Sequence, residues 1–223
     1  MKTNRKDQRK EGMTTIEVLA VVFVLVIAAG FLLPAVTRPR GCRAQRINCI
    51  SNLKQIGLAM RMWSNDHGEK FPWSVSTNEG GTLEFANTTA VFRHYLALSN
   101  ELVSPKVLVC RSDYRRTRAS SWDQFTNNKT HLSYFIGLAA DETRPQMILS
   151  GDRNLTFNGR LTWGLVSVPS NAVFGVAPLL HTNYVNVGLA DGSANQVPAA
   201  ELKQLNGAQF ASITNQSVLF VIP

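Results

Sequence analysis

This 223-residue chain is short of recognisable chemistry. It has no HExxH, no glycine-rich phosphate loop and no G-x-S-x-G, so the usual marks of metalloproteases, nucleotide hydrolases and serine esterases are missing. Its three cysteines include no CxxC and it has four histidines, which leaves the pattern of a structural zinc site incomplete. Tyr114 is the one aromatic within the cluster Arg111, Arg115, Arg116 and Arg118, so a run of cations alternating with stacking rings, the pattern suited to nucleic acid, is absent there. Charge is modest as well. The net charge of +8 falls to +5 without the five bases and two acids of the first twelve residues.

What is present is concentrated near the start. After Gly12 come Met13, Thr14, Thr15, Ile16 and Glu17, then nineteen uncharged residues from Val18 to Val36. As a helix that run rises about 28 Å, close to the hydrocarbon thickness of a bilayer. Glu17 is the anomaly, because an ionised side chain entering lipid costs about 2–3 kcal/mol unless it sits in the headgroup layer or finds a partner. Five basic residues before the run and Arg38, Arg40, Arg43 and Arg46 after it do not decide an orientation by themselves. A plain secretory signal is the competing reading, with Ala28-Ala29-Gly30 as its cleavage site.

From Arg43 to about Asn65 the apolar positions Ile47, Ile50, Leu53, Ile56, Leu58, Met60 and Trp63 recur three or four apart, which predicts an amphipathic helix. Asn65-Asp66-His67-Gly68 ends it through turn chemistry, and Pro39 and Gly41 break the chain before it. Strands are expected at Tyr134–Leu138, Met147–Leu149, Leu161–Val168 and Tyr184–Leu189, and Asp191-Gly192 is expected to turn the last of these into Ala194–Val197. Ser217–Ile222 is expected at a sheet edge, His94 and His131 at the surface, and Val75 to Val107 matches no pattern.

Cys42 and Cys49 stand seven residues apart. On one helix that is about 10 Å, beyond disulfide reach. Cys110 then bridges to one of them, or all three stay reduced. Cys49 is the better placed partner, since Cys42 lies near the membrane end of the apolar run. Closing about sixty residues stabilises a fold by roughly 4 kcal/mol on the chain-entropy model.

The junction at Gly12 resembles the class III signal of type IV pilins and type II secretion pseudopilins, carried by Gly12, Thr14, Ile16 and Glu17, with Met13 in place of the usual phenylalanine. The resemblance implies peptidase cleavage after Gly12, N-methylation of Met13, and Glu17 as the acid that pairs with a neighbouring subunit's new amine. It places Pro34 where pilins kink their first helix. Cys49-Ile50-Ser51-Asn52-Leu53-Lys54-Gln55-Ile56-Gly57, then Cys110-Arg111-Ser112-Asp113, then His181 nine residues before Asp191-Gly192, is similar to a large pilin-like group bearing these three marks in this order.

The implied fold is α+β and pilin-like: a long N-terminal helix, transmembrane then amphipathic, packed on a small antiparallel sheet. The implied divisions are a cytoplasmic leader at 1–12, an assembly helix at 13–37, an amphipathic helix at 38–66 and a periplasmic β-rich domain at 67–223. The implied partners are other copies or related subunits, a prepilin peptidase, an inner-membrane assembly platform and the membrane itself, with nucleic acid not among them. Major pseudopilins hold calcium in a C-terminal loop, which makes Asp191 a calcium candidate. With only Glu201 following it, the expectation is no cofactor and an Asx-type turn. His181 and Asp191 would be about 33 Å apart on extended chain, too far for a catalytic pair. Two alternatives to a filament subunit are a DNA-binding minor pilin acting through Arg115, Arg116 and Arg118, and a membrane-anchored periplasmic enzyme or binding protein.

Overall fold

The computed structural model describes residues 14–37, 42–181, 183–202 and 217–223, and side-chain surroundings within these outside 31–46 and 217–218. Gly12 and Met13 therefore lie outside the described residues. The chain divides into two compact units, Met1–Gly41 and Cys42–Pro223.

The first unit contains helix α1 (Thr15–Thr37). Thr14 caps it, with Val18 N–H donating to the Thr14 carbonyl. The Thr14 N–H and hydroxyl both donate to Glu17 Oε2, at 2.8 and 3.0 Å. This is the return half of a capping box, in which a glutamate in the first turn satisfies the otherwise orphaned N–H of the cap.

The second unit is mixed α/β. Among the described residues it holds α2 (Cys42–Asp66), α3 (Val91–Leu96), α4 (Asn128–His131) and nine strands: β1 (Tyr134–Gly137), β2 (Ile148–Asp152), β3 (Leu155–Phe157), β4 (Arg160–Leu161), β5 (Gly164–Pro169), β6 (Phe174–Val176), β7 (Tyr184–Leu189), β8 (Ala194–Pro198) and β9 (Ser217–Ile222). Six strands form an antiparallel sheet in the order β5-β9-β1-β2-β7-β8, and β4-β3-β6 form a second sheet.

These findings correct the expected pilin-like fold. The described part of α1 ends at Thr37 and α2 begins at Cys42 in the other unit, and residues 38–41, with Pro39 and Gly41, lie outside the described residues. In the second unit α2 packs on the sheet, against β2, β7 and β8. The sheet is not small. Among the described residues no helix is long and apolar enough to cross a membrane. The expected transmembrane helix and the single-pass inner-membrane location with a periplasmic domain are corrected by the same finding.

α2 buries Cys49, Leu53, Ile56, Met60 and Trp63, a stripe with the helical period. Ile47 and Leu58 fall off that stripe and are exposed. Near its end the α2 backbone touches the β7–β8 turn. A Cβ on Gly57 would stand 3.0 Å from Gly192 Cα, and Gly192 has φ +83°, a conformation that favours glycine. Two glycines meeting backbone to backbone set how closely the helix lies on the hairpin. Arg61 Nη1 donates to the Asp191 carbonyl at 3.0 Å across the same contact.

β1 and β2 are buried on both faces, which is why they read as short unbroken runs rather than alternating ones. β9 is not an edge strand. It lies between β5 and β1 and pairs with β5 over Gly164↔Ile222 to Pro169↔Ser217. Val-Leu-Phe-Val-Ile is apolar on both faces and finds cover only inside the sheet. Phe220 of β9 packs on Phe135, Phe157 and Phe174, with ring centroids 5.4–6.3 Å apart, and joins the two sheets. The segment that matched no pattern folds as tight turns around α3 and sends Tyr95 and Leu98 into the core. His94 goes with them and is wholly buried, not at the surface. Its Nδ1 lies 2.7 Å from Thr82 Oγ1, and Trp73 stands edge-on to the ring.

Candidate functional site

The three marks singled out in the sequence converge in the second unit. Cys49, on the buried stripe of α2, forms a disulfide with Cys110, with Cα atoms 5.3 Å apart. His181 Nε2 lies 3.4 Å from Cys110 Sγ. Asp113, three residues beyond Cys110, receives the guanidinium of Arg153 through Nε at 2.7 Å and Nη2 at 2.8 Å, and the Ser133 hydroxyl at 2.8 Å. Asn52, one turn along α2 from Cys49, donates to Tyr134 Oη at 3.2 Å.

Sequence reasoning missed the residue that completes this cluster. Asp152, the last residue of β2, is fully buried, and its Oδ2 stands 3.7 Å from His181 Nε2. The backbone N–H and side-chain amide of Asn186 on β7 both donate to Oδ2, at 2.9 and 2.7 Å, while Oδ1 accepts no hydrogen bond. Burial raises its pKa to about 7 against the two Asn186 bonds, which act the other way. Asp113, also buried, goes in the opposite direction. Burial pushes its carboxyl up, but the bond and charge of Arg153, with Ser133 and the Arg115 N–H, more than reverse that and leave it below its ordinary value. The available signal was Asp152-Arg153-Asn154, three polar residues interrupting an apolar stretch at a strand end.

Asp191 is elsewhere. It sits in the β7–β8 turn, where Oδ1 accepts the Ser193 N–H at 2.8 Å as an Asx turn does, and β7 separates it from His181. Gly192 carries the positive φ of that turn. Among the described residues the histidine, cysteine and acid atoms close enough to share one ion are Cys49, Cys110 and His181, and Asp191 is not with them.

The arginine cluster is partly gathered too. Arg115 and Arg116 line a cavity of about 310 Å³ with Lys129, Arg153, Trp163 and Pro223, while Arg118 is not among its walls. Trp163 adds an aromatic wall, and the Arg153 guanidinium lies 5.3 Å over its ring. The Arg116 donors go to the carbonyls of Leu132, Lys129 and Pro223, and Arg153 is committed to Asp113. Two of the four cations are thus tied to protein groups.

No family model, curated protein or solved structure matches the chain. Nothing in these comparisons ties it to pilins or to a secretion system, so the assignment to type II secretion is not carried further.

Proposed function

We propose that the chain is the structural subunit of a pilus-like filament, cut after Gly12 and assembled through α1. The observation that supports this reading is the surface of that helix. Ile16, Leu19, Phe23, Val24, Leu25 and Val26 are each more than half exposed and point to different sides. A helix that is apolar all round needs cover, and α1 of other copies provides cover of matching length and chemistry. Glu17 is the one ionisable residue of α1. Cleavage after Gly12 would free an amine at Met13, and a buried carboxylate is tolerable when an ammonium lies against it. Within one chain Glu17 is held by Thr14 through Oε2 alone, so its other oxygen is the one offered to a second copy.

The test combines the mature N-terminus with the state of assembly. Mass spectrometry is expected to show a chain beginning at Met13, and Gly12→Ala is expected to retain the leader. Glu17→Ala is expected to be processed normally yet to sediment as unassembled protein, whereas the parent forms cross-links between cysteines introduced by Leu19→Cys. An uncut chain, or one that sediments identically with and without Glu17, would end this reading.

A further inference from the structure

We propose that the cluster Cys49, Cys110, His181 and Asp152 is a buried site for a divalent metal of the zinc class, open to the ion when the cysteine pair is reduced. This goes beyond the filament reading and does not depend on it. Four groups with the right donor atoms come from four separate places in the fold: α2, the turn after Val109, the segment before β7, and the end of β2. All four are buried. The two sulfurs and the His181 nitrogen lie within 4.8 Å of one another.

Two of the six spacings already suit a tetrahedron. With metal–sulfur bonds of about 2.3 Å and metal–nitrogen or –oxygen bonds of about 2.0–2.1 Å, the edges of a tetrahedral site are roughly 3.5 Å for sulfur to nitrogen and 3.3 Å for nitrogen to oxygen. The structure has 3.4 Å from Cys110 Sγ to His181 Nε2 and 3.7 Å from His181 Nε2 to Asp152 Oδ2. Two adjustments remain: the disulfide must open to about 3.8 Å between its sulfurs, and Asp152, which is not among the atoms lying within 4.8 Å of one another, must turn toward the sulfurs to close the fourth position. Cα atoms 5.3 Å apart allow the first through rotation of the two cysteine side chains.

The charges also suit the interior. Two thiolates balance a divalent ion and neutral His181 adds no charge, while Asp152 bound as a carboxylate leaves one negative charge, which both N–H groups of Asn186 face. Asp152 fills the fourth position. Its Oδ2 is already steadied by both N–H groups of Asn186, and its unbonded Oδ1 is a polar atom without another structural task. Bonds from outside the ligand set to a ligand's own atoms orient it in this way at metal sites.

The reaction balances with a dithiol as reductant. The dithiol gives two electrons and two protons, the Cys49–Cys110 bond breaks to two thiols, and the reductant leaves as its own disulfide. The ion then displaces both thiol protons and binds the two sulfurs. A disulfide oxidant reverses the process and expels the ion.

The test uses the full chain in the Cys42→Ser background, so that the third thiol contributes nothing, with cobalt(II) as the spectroscopic probe. The reduced protein is expected to bind one cobalt per chain, with thiolate charge-transfer absorption in the near ultraviolet and intense tetrahedral bands in the visible. The oxidised protein is expected to show neither. His181→Ala is expected to weaken binding about a hundredfold and Asp152→Asn about tenfold, in the range seen when metal-site support is removed. If a variant does not fold, zinc-edge X-ray absorption on the reduced parent decides. Two sulfurs at about 2.3 Å with two lighter atoms at about 2.0 Å support the site. A reduced chain without thiolate absorption, or with a spectrum unmoved by loss of His181, overturns it.

Discussion

His94 offers a direct test of how this interior is built, because burial has separated its charge state from that of an ordinary histidine. It lies wholly inside, with Nδ1 engaged by Thr82 and Nε2 without a hydrogen-bond partner. Burial lowers its pKa from 6.5 to about 4. In the unfolded chain the ring takes a proton below about pH 6.5, but in the folded chain only below about pH 4. Between these values the unfolded state holds the extra proton, so stability falls as pH falls through the window. The full shift corresponds to about 3 kcal/mol, most of it lost by pH 4.5.

A single pH profile of the parent would conceal this. The Asp152 carboxyl is raised from 3.8 to about 7, so between those values the folded state holds a proton that the unfolded state lacks, and stability rises as pH falls. The two effects oppose each other over nearly the same range. The comparison is therefore between the parent and His94→Asn, whose amide still reaches Thr82, because the Asp152 effect is common to both. Urea unfolding followed by tryptophan fluorescence at pH 7.5 and 4.5 is expected to show the parent losing about 2–3 kcal/mol relative to the variant over that interval. Proton NMR of the ring is expected to place its titration near pH 4. Equal pH responses in the two proteins, or a ring titrating near 6.5, would refute the assignment of its acid sensitivity to burial.

Two further outcomes concern packing and charge. Gly57→Ala places a methyl against the backbone of Gly192, which has no flexible end to move aside, and is expected to destabilise the second unit by about 1–3 kcal/mol in urea titrations. An unchanged midpoint would show that the helix–hairpin contact is looser than drawn. Arg153→Met strands Asp113 as a buried charge and is expected to cost about 3–5 kcal/mol, whereas Arg153→Met with Asp113→Leu is expected to recover most of it. If the double variant is no more stable than the single one, the pair is not the coupled unit its geometry describes.

Parts of this molecule are readable without coordinates because they are local. Uniform apolarity marks α1, the three-to-four spacing marks α2, and Asp191-Gly192 marks a hairpin turn, since each depends on neighbours a few residues away. The notable failures were not local. His94 sits in a stretch without periodicity, so nothing in its surroundings in sequence distinguished a core imidazole from a surface one. The tail strand has the composition of a core strand, yet whether it enters the sheet or lies at its edge depends on the gap between β1 and β5, which exists only once those strands have come together.

The candidate site divides in the same way. Sequence alone determined which residues were chemically unusual: Cys49, Cys110, His181 and the isolated Glu17. It also determined that any cysteine pairing must reach beyond one helix, because helical rise forbids a bridge across seven residues. Only the tertiary structure decided that His181 turns to Cys110 and Asp152 rather than Asp191, with β7 lying between His181 and the Asp191 turn. Neighbours along a chain are limited by its extension, but neighbours in a sheet are chosen by strand order. That order placed β2 beside β7 and so brought an acid from residue 152 to a histidine at 181.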